Sequence, residues 1–174
     1  MSPIRAVCLS AVAGACVAGV PATAQGTRDN PLIDYPGFVE LAARVESYRE
    51  QRRLGWSEFA ERARTHGAIL LDARSESAFA QGHIAGAINL PLPDFTAERL
   101  AEVLGPDTGR PVYIYCNNNF ADNRAPVVTK KVELALNIPT FINLVGYGYG
   151  NVWELADVIR TDGPGVDWVA GEVS

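Results

Sequence analysis

The sequence predicts an α/β domain built on a mostly parallel sheet with helices on both faces. Short apolar runs of strand length (68–71, 87–90, 112–115 and 140–144) alternate with segments whose apolar residues recur at helical spacing. Alternation of this kind defines the α/β class. The 174 residues, 48% hydrophobic and 20% charged, suffice for one ordinary domain with a sizeable core and are too few for two large ones.

The elements follow in order. Residues 25–36 are polar and broken by Pro31 and Pro36, which reads as an extended arm. Over 37–53, Phe38, Leu41, Val45 and Tyr48 form one helical stripe, and Arg44, Glu46, Arg49 and Glu50 stand on the opposite face. Ser57 can cap a short helix over 58–65 that stops at Gly67. Residues 68–71 form a buried strand leading into Asp72-Ala73-Arg74, Ser75 caps a helix ending at Gly82, and residues 87–90 form a strand closed by Pro91 and Pro93. A helix over 96–104 stops at Gly105, and Val112 to Tyr115 is the next strand. Pro126 suits the first turn of a helix running to about Leu136. Residues 140–144 are expected as a strand, and Asn151 as the cap of a helix with Val152, Leu155, Ala156 and Ile159 on one face. A turn at 162–165 opens the C-terminal tail, 163–174, which contains Trp168.

The net charge is −5, with no basic run, which argues against nucleic-acid or anionic-membrane binding. Residues 1–24 read as an export signal. Arg5 is the n-region, Ala6–Val20 a small apolar stretch too short to span a bilayer comfortably, and Ala22-Thr23-Ala24 the cleavage pattern. An exported, periplasmic or secreted product would lose Cys8 and Cys16 with the signal and keep Cys116 as its one thiol. Such a chain cannot form an internal disulfide. Its remaining cysteine is either buried and inert or retained for reactivity.

That thiol ends an apolar strand and opens a polar loop, Asn117-Asn118-Asn119-Phe120. In open α/β sheets the ligand crevice lies beyond the carboxyl ends of the strands. A cysteine there is placed as a nucleophile, although a buried core cysteine followed by a surface turn fits the same residues. The loops after Asp72, after Cys116 and at Gly146–Gly150 should build the site, with Tyr147 and Tyr149 at its rim. No metal set is present, since two separated histidines and one thiol make no ligand cluster. The glycine run has no Lys-Ser/Thr after it and no cofactor context.

Leu70-Leu71-Asp72-Ala73-Arg74, Phe79 and the run Gly82-His83-Ile84-Ala85-Gly86-Ala87-Ile88-Asn89-Leu90-Pro91 closely resemble the front half of a rhodanese domain. Tyr113-Ile114-Tyr115-Cys116 stands where that family carries its catalytic cysteine, and Phe141 to Trp153 resembles its last strand, glycine turn and helix. The resemblance covers residues 54–162 and leaves the arm and helix of 25–53 outside. It implies a rhodanese-like fold and a sulfurtransferase. The Cys116 thiolate would take a sulfane sulfur from a small-molecule donor and pass it to a thiol or cyanide-like acceptor, with no cofactor. Loop N–H groups would form the anion-binding concavity. Carried over, Asn117, Asn118, Asn119, Phe120 and Ala121 would cradle the substrate, with Arg124 as a clamp. Asp72 and Arg74 would form a buried ion pair beneath the loop, and His83 would hold a turn.

The loop departs from the family pattern of Arg-x-Gly-x-Arg type, with its basic fifth position. Here it is neutral, its first arginine is Arg124, and the next helix begins late. A helix dipole fades within a turn, so it should help this thiolate less than in a compact loop. A non-catalytic rhodanese-fold binding module is the first alternative. A rhodanese-related phosphatase is another, although Arg124 lies too far along for a Cys-x5-Arg cradle.

Overall fold

The computed structural model describes residues 30–170. The expected export segment, residues 25–29 of the arm and the last four residues of the tail lie outside the described residues. Residues 30–33 form a turn in which the Leu32 N–H donates to Asn30 Oδ1.

From Asp34 onward the chain builds a five-stranded, fully parallel sheet. The sheet strands are β1 (Arg53–Leu54), β2 (Ile69–Asp72), β4 (Ala87–Asn89), β5 (Val112–Tyr115) and β6 (Val152–Leu155), in the spatial order β1-β6-β5-β2-β4. The helices are α1 (Tyr35–Glu50), α2 (Trp56–Ala63), α3 (Glu76–Gln81), α4 (Ala97–Leu104) and α5 (Asn137–Gly146). A separate antiparallel pair joins β3 (His83–Ile84) to β7 (Trp168–Val169).

Every residue of β2 and β5 is buried, as expected of parallel strands covered on both faces. Successive side chains point to opposite faces, and the core divides accordingly. Leu71, Ile114 and Val152 pack with Leu100, Leu104, Phe141 and Leu144. On the other face Leu70, Tyr113, Tyr115 and Leu155 pack with Phe59 and Ile84. Tyr48 of α1 meets the Phe141 ring of α5 edge-on at 6.2 Å, which docks α1 on the first face.

The α/β class matches the sequence reading, and β2, α3, β4, α4 and β5 stand where it expects them, with Ser75 as the expected cap. Thr96 caps α4 without having been singled out, α1 starts at Tyr35 within the expected arm and ends at Glu50, and the two-residue strands β1 and β3 have no counterpart in that reading. The helix expected over 58–65 instead starts at Trp56, whose N–H donates to Asp157 Oδ2 at 2.7 Å. Beyond Cys116 the expectations fail in three places. Residues 126–136 form no α-helix and hold only a 3-10 turn, Val132–Leu134. The β-branched run Val127-Val128-Thr129 is poor helix material, and the backbone finds other partners: Asn118 binds both backbone groups of Lys130, and Asn123 accepts the Thr129 N–H. The expected strand at 140–144 is helix α5, with Asn137, Thr140, Phe141 and Leu144 buried at helical spacing. The expected helix after Asn151 is strand β6.

The helix and strand exchange moves the glycine turn. Because α5 runs back across the sheet, Gly146–Gly150 lies at its far end, before β6 starts. Tyr147 donates to the Phe95 carbonyl and Tyr149, in the core, to that of Gly105. Neither tyrosine lines the cleft bordered by Asn117.

Candidate functional site

Cys116 follows β5 directly and caps a 3-10 turn, Asn117–Asn119. Alternation along the strand puts its side chain on the same face as Ile114, toward α5. The thiol is 1% exposed. The backbone N–H groups of Asn137, Asn118 and Leu136 are directed at the sulfur, and the Asn119 N–H donates to the Cys116 carbonyl at 3.0 Å. The first-turn amides of α5 thus reach the thiol although about twenty residues separate Cys116 from that helix. The loop leaves and returns, so its length does not remove the helix terminus from the sulfur. Burial pushes the thiol pKa up, the amides pull it down, the Glu154 charge adds to the rise, and the net direction is upward.

The asparagines have separate tasks. Asn117, the residue after Cys116, lines a cleft of about 310 Å³ together with Ala73, Arg74, Leu92, Lys130 and Leu136; Cys116 itself does not line it. Asn118 locks the returning loop, its Nδ2 donating to the Lys130 carbonyl at 2.9 Å and its Oδ1 accepting the Lys130 N–H at 3.0 Å. Asn119 is a buried hub. Its Oδ1 accepts from the Cys116 N–H at 2.9 Å and from Asn137 Nδ2 at 3.0 Å, and its Nδ2 donates to the carbonyls of Leu155 and Asp157. The side-chain oxygens of Asn117 and Asn137 are buried without a hydrogen-bond partner, so each is an acceptor open to an incoming donor.

Phe120 points away from the cleft into the opposite core, edge-on to Tyr115 and to Trp168. The Ala121 N–H donates to the Ile159 carbonyl at 2.8 Å, which carries the chain off the site. Arg124 is exposed and its charge acts on Asp162, helping Arg160 to hold that carboxyl below the usual range. The structure therefore gathers Cys116 and Asn117–Asn119 and leaves Phe120, Ala121 and Arg124 elsewhere.

Asp72 and Arg74 form a buried pair on the opposite face of the sheet from the thiol. Arg74 Nη2 lies 2.5 Å from Asp72 Oδ2 and Nε 2.9 Å from Oδ1, with further bonds to the carbonyls of Gly82 and Pro126. The Tyr115 hydroxyl donates to Asp72 Oδ2 at 2.8 Å and accepts the Ile84 N–H at 3.1 Å. Burial, with the Asp72 charge adding, holds Tyr115 neutral well above the ordinary tyrosine range. His83 stacks on Phe79 at 3.6 Å, its Nδ1 2.9 Å from the Phe79 carbonyl. This pair closes the turn into β3.

Four contributors were not singled out in the sequence: Asn137, Glu154, Lys130 and Arg49. Glu154 carried a signal, being a carboxylate between Trp153 and Leu155 in a segment that reads equally as a strand. Lys130 and Lys131 are the chain's two lysines, and the first lines the cleft.

A parallel α/β sheet presenting a buried cysteine at a strand's carboxyl end, faced by loop and helix amides, defines a class of thiol-centred α/β domains. Residues 56–157 match the family model described as a rhodanese-like domain, and the chain belongs to the rhodanese-like domain family. It is 35% identical over 102 residues to the uncharacterized protein YqhL of Bacillus subtilis (strain 168), covering 58% of this chain and 76% of that one. Among solved structures, a rhodanese with anions from E. coli is 27% identical, over 60% of this chain and 99% of that one, with a TM-score of 0.40. A thiosulfate sulfurtransferase from Pseudomonas aeruginosa is 22% identical, over 70% of this chain and 20% of that one, with a TM-score of 0.39.

Proposed function

We propose that this chain is a sulfurtransferase that carries a sulfane sulfur on Cys116. The observation that carries the reading is the set of N–H groups from Asn118, Leu136 and Asn137 directed at the sulfur, with Asn117 and Leu136 also lining a cleft. Amides arranged this way favour an anion at the sulfur. A persulfide keeps its charge on the outer sulfur and needs such donors more than a thiol does.

In the first step the Cys116 thiolate attacks the outer sulfur of a donor such as a thiosulfonate. A Cys116 S–S bond forms, the donor's S–S bond breaks, and a sulfinate leaves with the bond's electron pair. In the second step an acceptor thiolate or cyanide attacks the outer sulfur and Cys116 leaves as thiolate. The cleft walls are mostly apolar, from Ala73, Leu92, Pro93 and Leu136, with Lys130 as their free cation, because the Arg74 guanidinium is held by Asp72, Gly82 and Pro126. That lining favours an anionic donor with an apolar body over the compact thiosulfate dianion. The signal-like pattern of residues 1–24 supports an exported setting for this chemistry.

Burial favours the second reading, a non-catalytic binding module, since the thiol is 1% exposed and its pKa is raised. Turnover separates the two. The wild-type chain is expected to move sulfur from an aryl thiosulfonate to cyanide, yielding thiocyanate, and Cys116→Ser to be inactive. Equal rates for both proteins would remove the sulfurtransferase reading.

A further inference from the structure

Helix α1 lies outside the residues that match the family, yet its last turn enters the site. Arg49 places Nε 2.6 Å from Glu154 Oε2 and Nη2 2.6 Å from Oε1, a two-pronged pair. Glu154 is 4% exposed and stands in β6 opposite Ile114, two residues before Cys116. Its face of the sheet is therefore that of the thiol. Asn137 bridges onward, with Nδ2 3.3 Å from Glu154 Oε1 and 3.0 Å from Asn119 Oδ1. Asn119 caps the Cys116 N–H, and the backbone N–H of Asn137 faces the sulfur. A continuous polar chain thus runs from α1 to both ends of the cysteine.

We propose that Arg49 is a positioning residue for Cys116. It neutralises Glu154 and, through Asn137 and Asn119, fixes the amides that face the thiol, so that α1 is a working part of the site. The inference rests on Cys116 being the reactive group of the proposed function and not on which donor it uses.

The charges around the thiol leave Glu154 as the one that matters most. On the opposite face of the sheet Asp72 is paired with Arg74 and bonded by Tyr115. The Asp157 carboxylate is taken by the Trp56 N–H. The returning loop brings Lys130 to the cleft, and α5 carries no ionisable side chain. On α1, Glu50 is 3.7 Å from Arg49 and more exposed than Glu154. A buried carboxylate near a thiol opposes its ionisation, commonly by about one pKa unit or more when no cation compensates it.

The test is the pH dependence of Cys116 alkylation by iodoacetamide in the full chain, read by mass spectrometry on the peptide holding Cys116, so that Cys8 and Cys16 do not contribute. Arg49→Met is expected to raise the apparent thiol pKa by about one unit. Below that pKa the thiolate fraction falls roughly tenfold, but each thiolate is more nucleophilic, so alkylation slows roughly threefold. Glu154→Gln alone is expected to lower the pKa. In the double variant it should return the Arg49→Met value toward wild type, and Arg49→Lys should restore part of it. A purely structural pair would lower the thermal midpoint of both single variants and leave the thiol pKa unmoved. Unmoved pKa values in folded Arg49→Met and Glu154→Gln would overturn the proposal, as would a double variant no closer to wild type than Arg49→Met. Should Arg49→Met fail to fold, Glu154→Gln decides alone, and an unchanged or raised pKa overturns the proposal.

Discussion

Replacing Asn119 by Ala removes the joint on which the loop, β6 and α5 meet. The buried amide holds the Cys116 N–H, the Asn137 amide and the carbonyls of Leu155 and Asp157 at 2.8–3.1 Å. Each of those groups loses a partner in the variant, in a place where water enters poorly. At about 1 kcal/mol net per buried hydrogen bond, and more where a buried group is stranded, the loss is about 3–4 kcal/mol. For a chain of this size that corresponds to roughly 10 °C in thermal midpoint. Equilibrium urea unfolding, followed by the fluorescence of Trp56, Trp153 and Trp168, measures it directly. Asn119→Asp is the sharper control. It keeps an acceptor for the Cys116 N–H but turns an oxygen toward the Leu155 and Asp157 carbonyls, and is expected to be at least as damaging. A loss under about 1 kcal/mol for Ala, against the buried-group cost used above, would refute the reasoning. So would a neutral Asp variant.

Arg74→Met leaves Asp72 buried without its cation and is expected to cost about 3–5 kcal/mol, with the Asp72→Asn/Arg74→Met double variant less damaged than Arg74→Met alone. Urea midpoints check both, and additive losses would contradict the pairing. Tyr115 supplies a pH test. Its folded-state pKa is raised, so above about pH 10 the unfolded chain releases a proton that the folded chain keeps. The stability it contributes is present below that pH and is lost as pH rises, at about 1.4 kcal/mol per unit. Wild type should lose stability against Tyr115→Phe with that slope in alkaline denaturation, and parallel curves would argue against a held phenol. Lys130→Glu is expected to raise KM for an aryl thiosulfonate about tenfold with little change in kcat, the mark of lost uniform binding. An unchanged KM would place the donor elsewhere.

The front of the fold was legible because its signals are local and agree with one another. Ser75 and Thr96 cap where their side chains accept the amides of Ala78 and Arg99, and the apolar runs of β2 and β5 match buried parallel strands. The region after Cys116 misled for two reasons. Phe141–Val145 is a short apolar run, which periodicity alone cannot assign to strand or helix. The spacing of Val152, Leu155 and Ile159 imitates a helical stripe, although Val152 and Glu154 share one face of a strand. The irregular course of 120–136 depends on tertiary bonds from Asn118 and Asn123 that no local pattern announces.

The site was legible to a similar depth. Cys116 stands out as a thiol at the end of an apolar strand, and that is a local feature. The partners of its amide shell are not local. Asn137 arrives after the long loop, Glu154 from the neighbouring strand, and Arg49 from a helix that reads as an amphipathic addition. The expectation that a late helix helps the thiolate less than a compact loop would takes distance along the chain for distance in space. The first turn of α5 lies against the sulfur all the same.

The most direct test of the persulfide reading is the mass of the Cys116 peptide after brief exposure of the full chain to an excess of aryl thiosulfonate, with an alkylating trap to preserve the product. Cys116 is expected to gain the mass of one sulfur atom and to lose it on addition of cyanide, with no such gain at residue 116 in Cys116→Ser. A Cys116 peptide that stays unmodified while the protein is folded and the donor intact would contradict it.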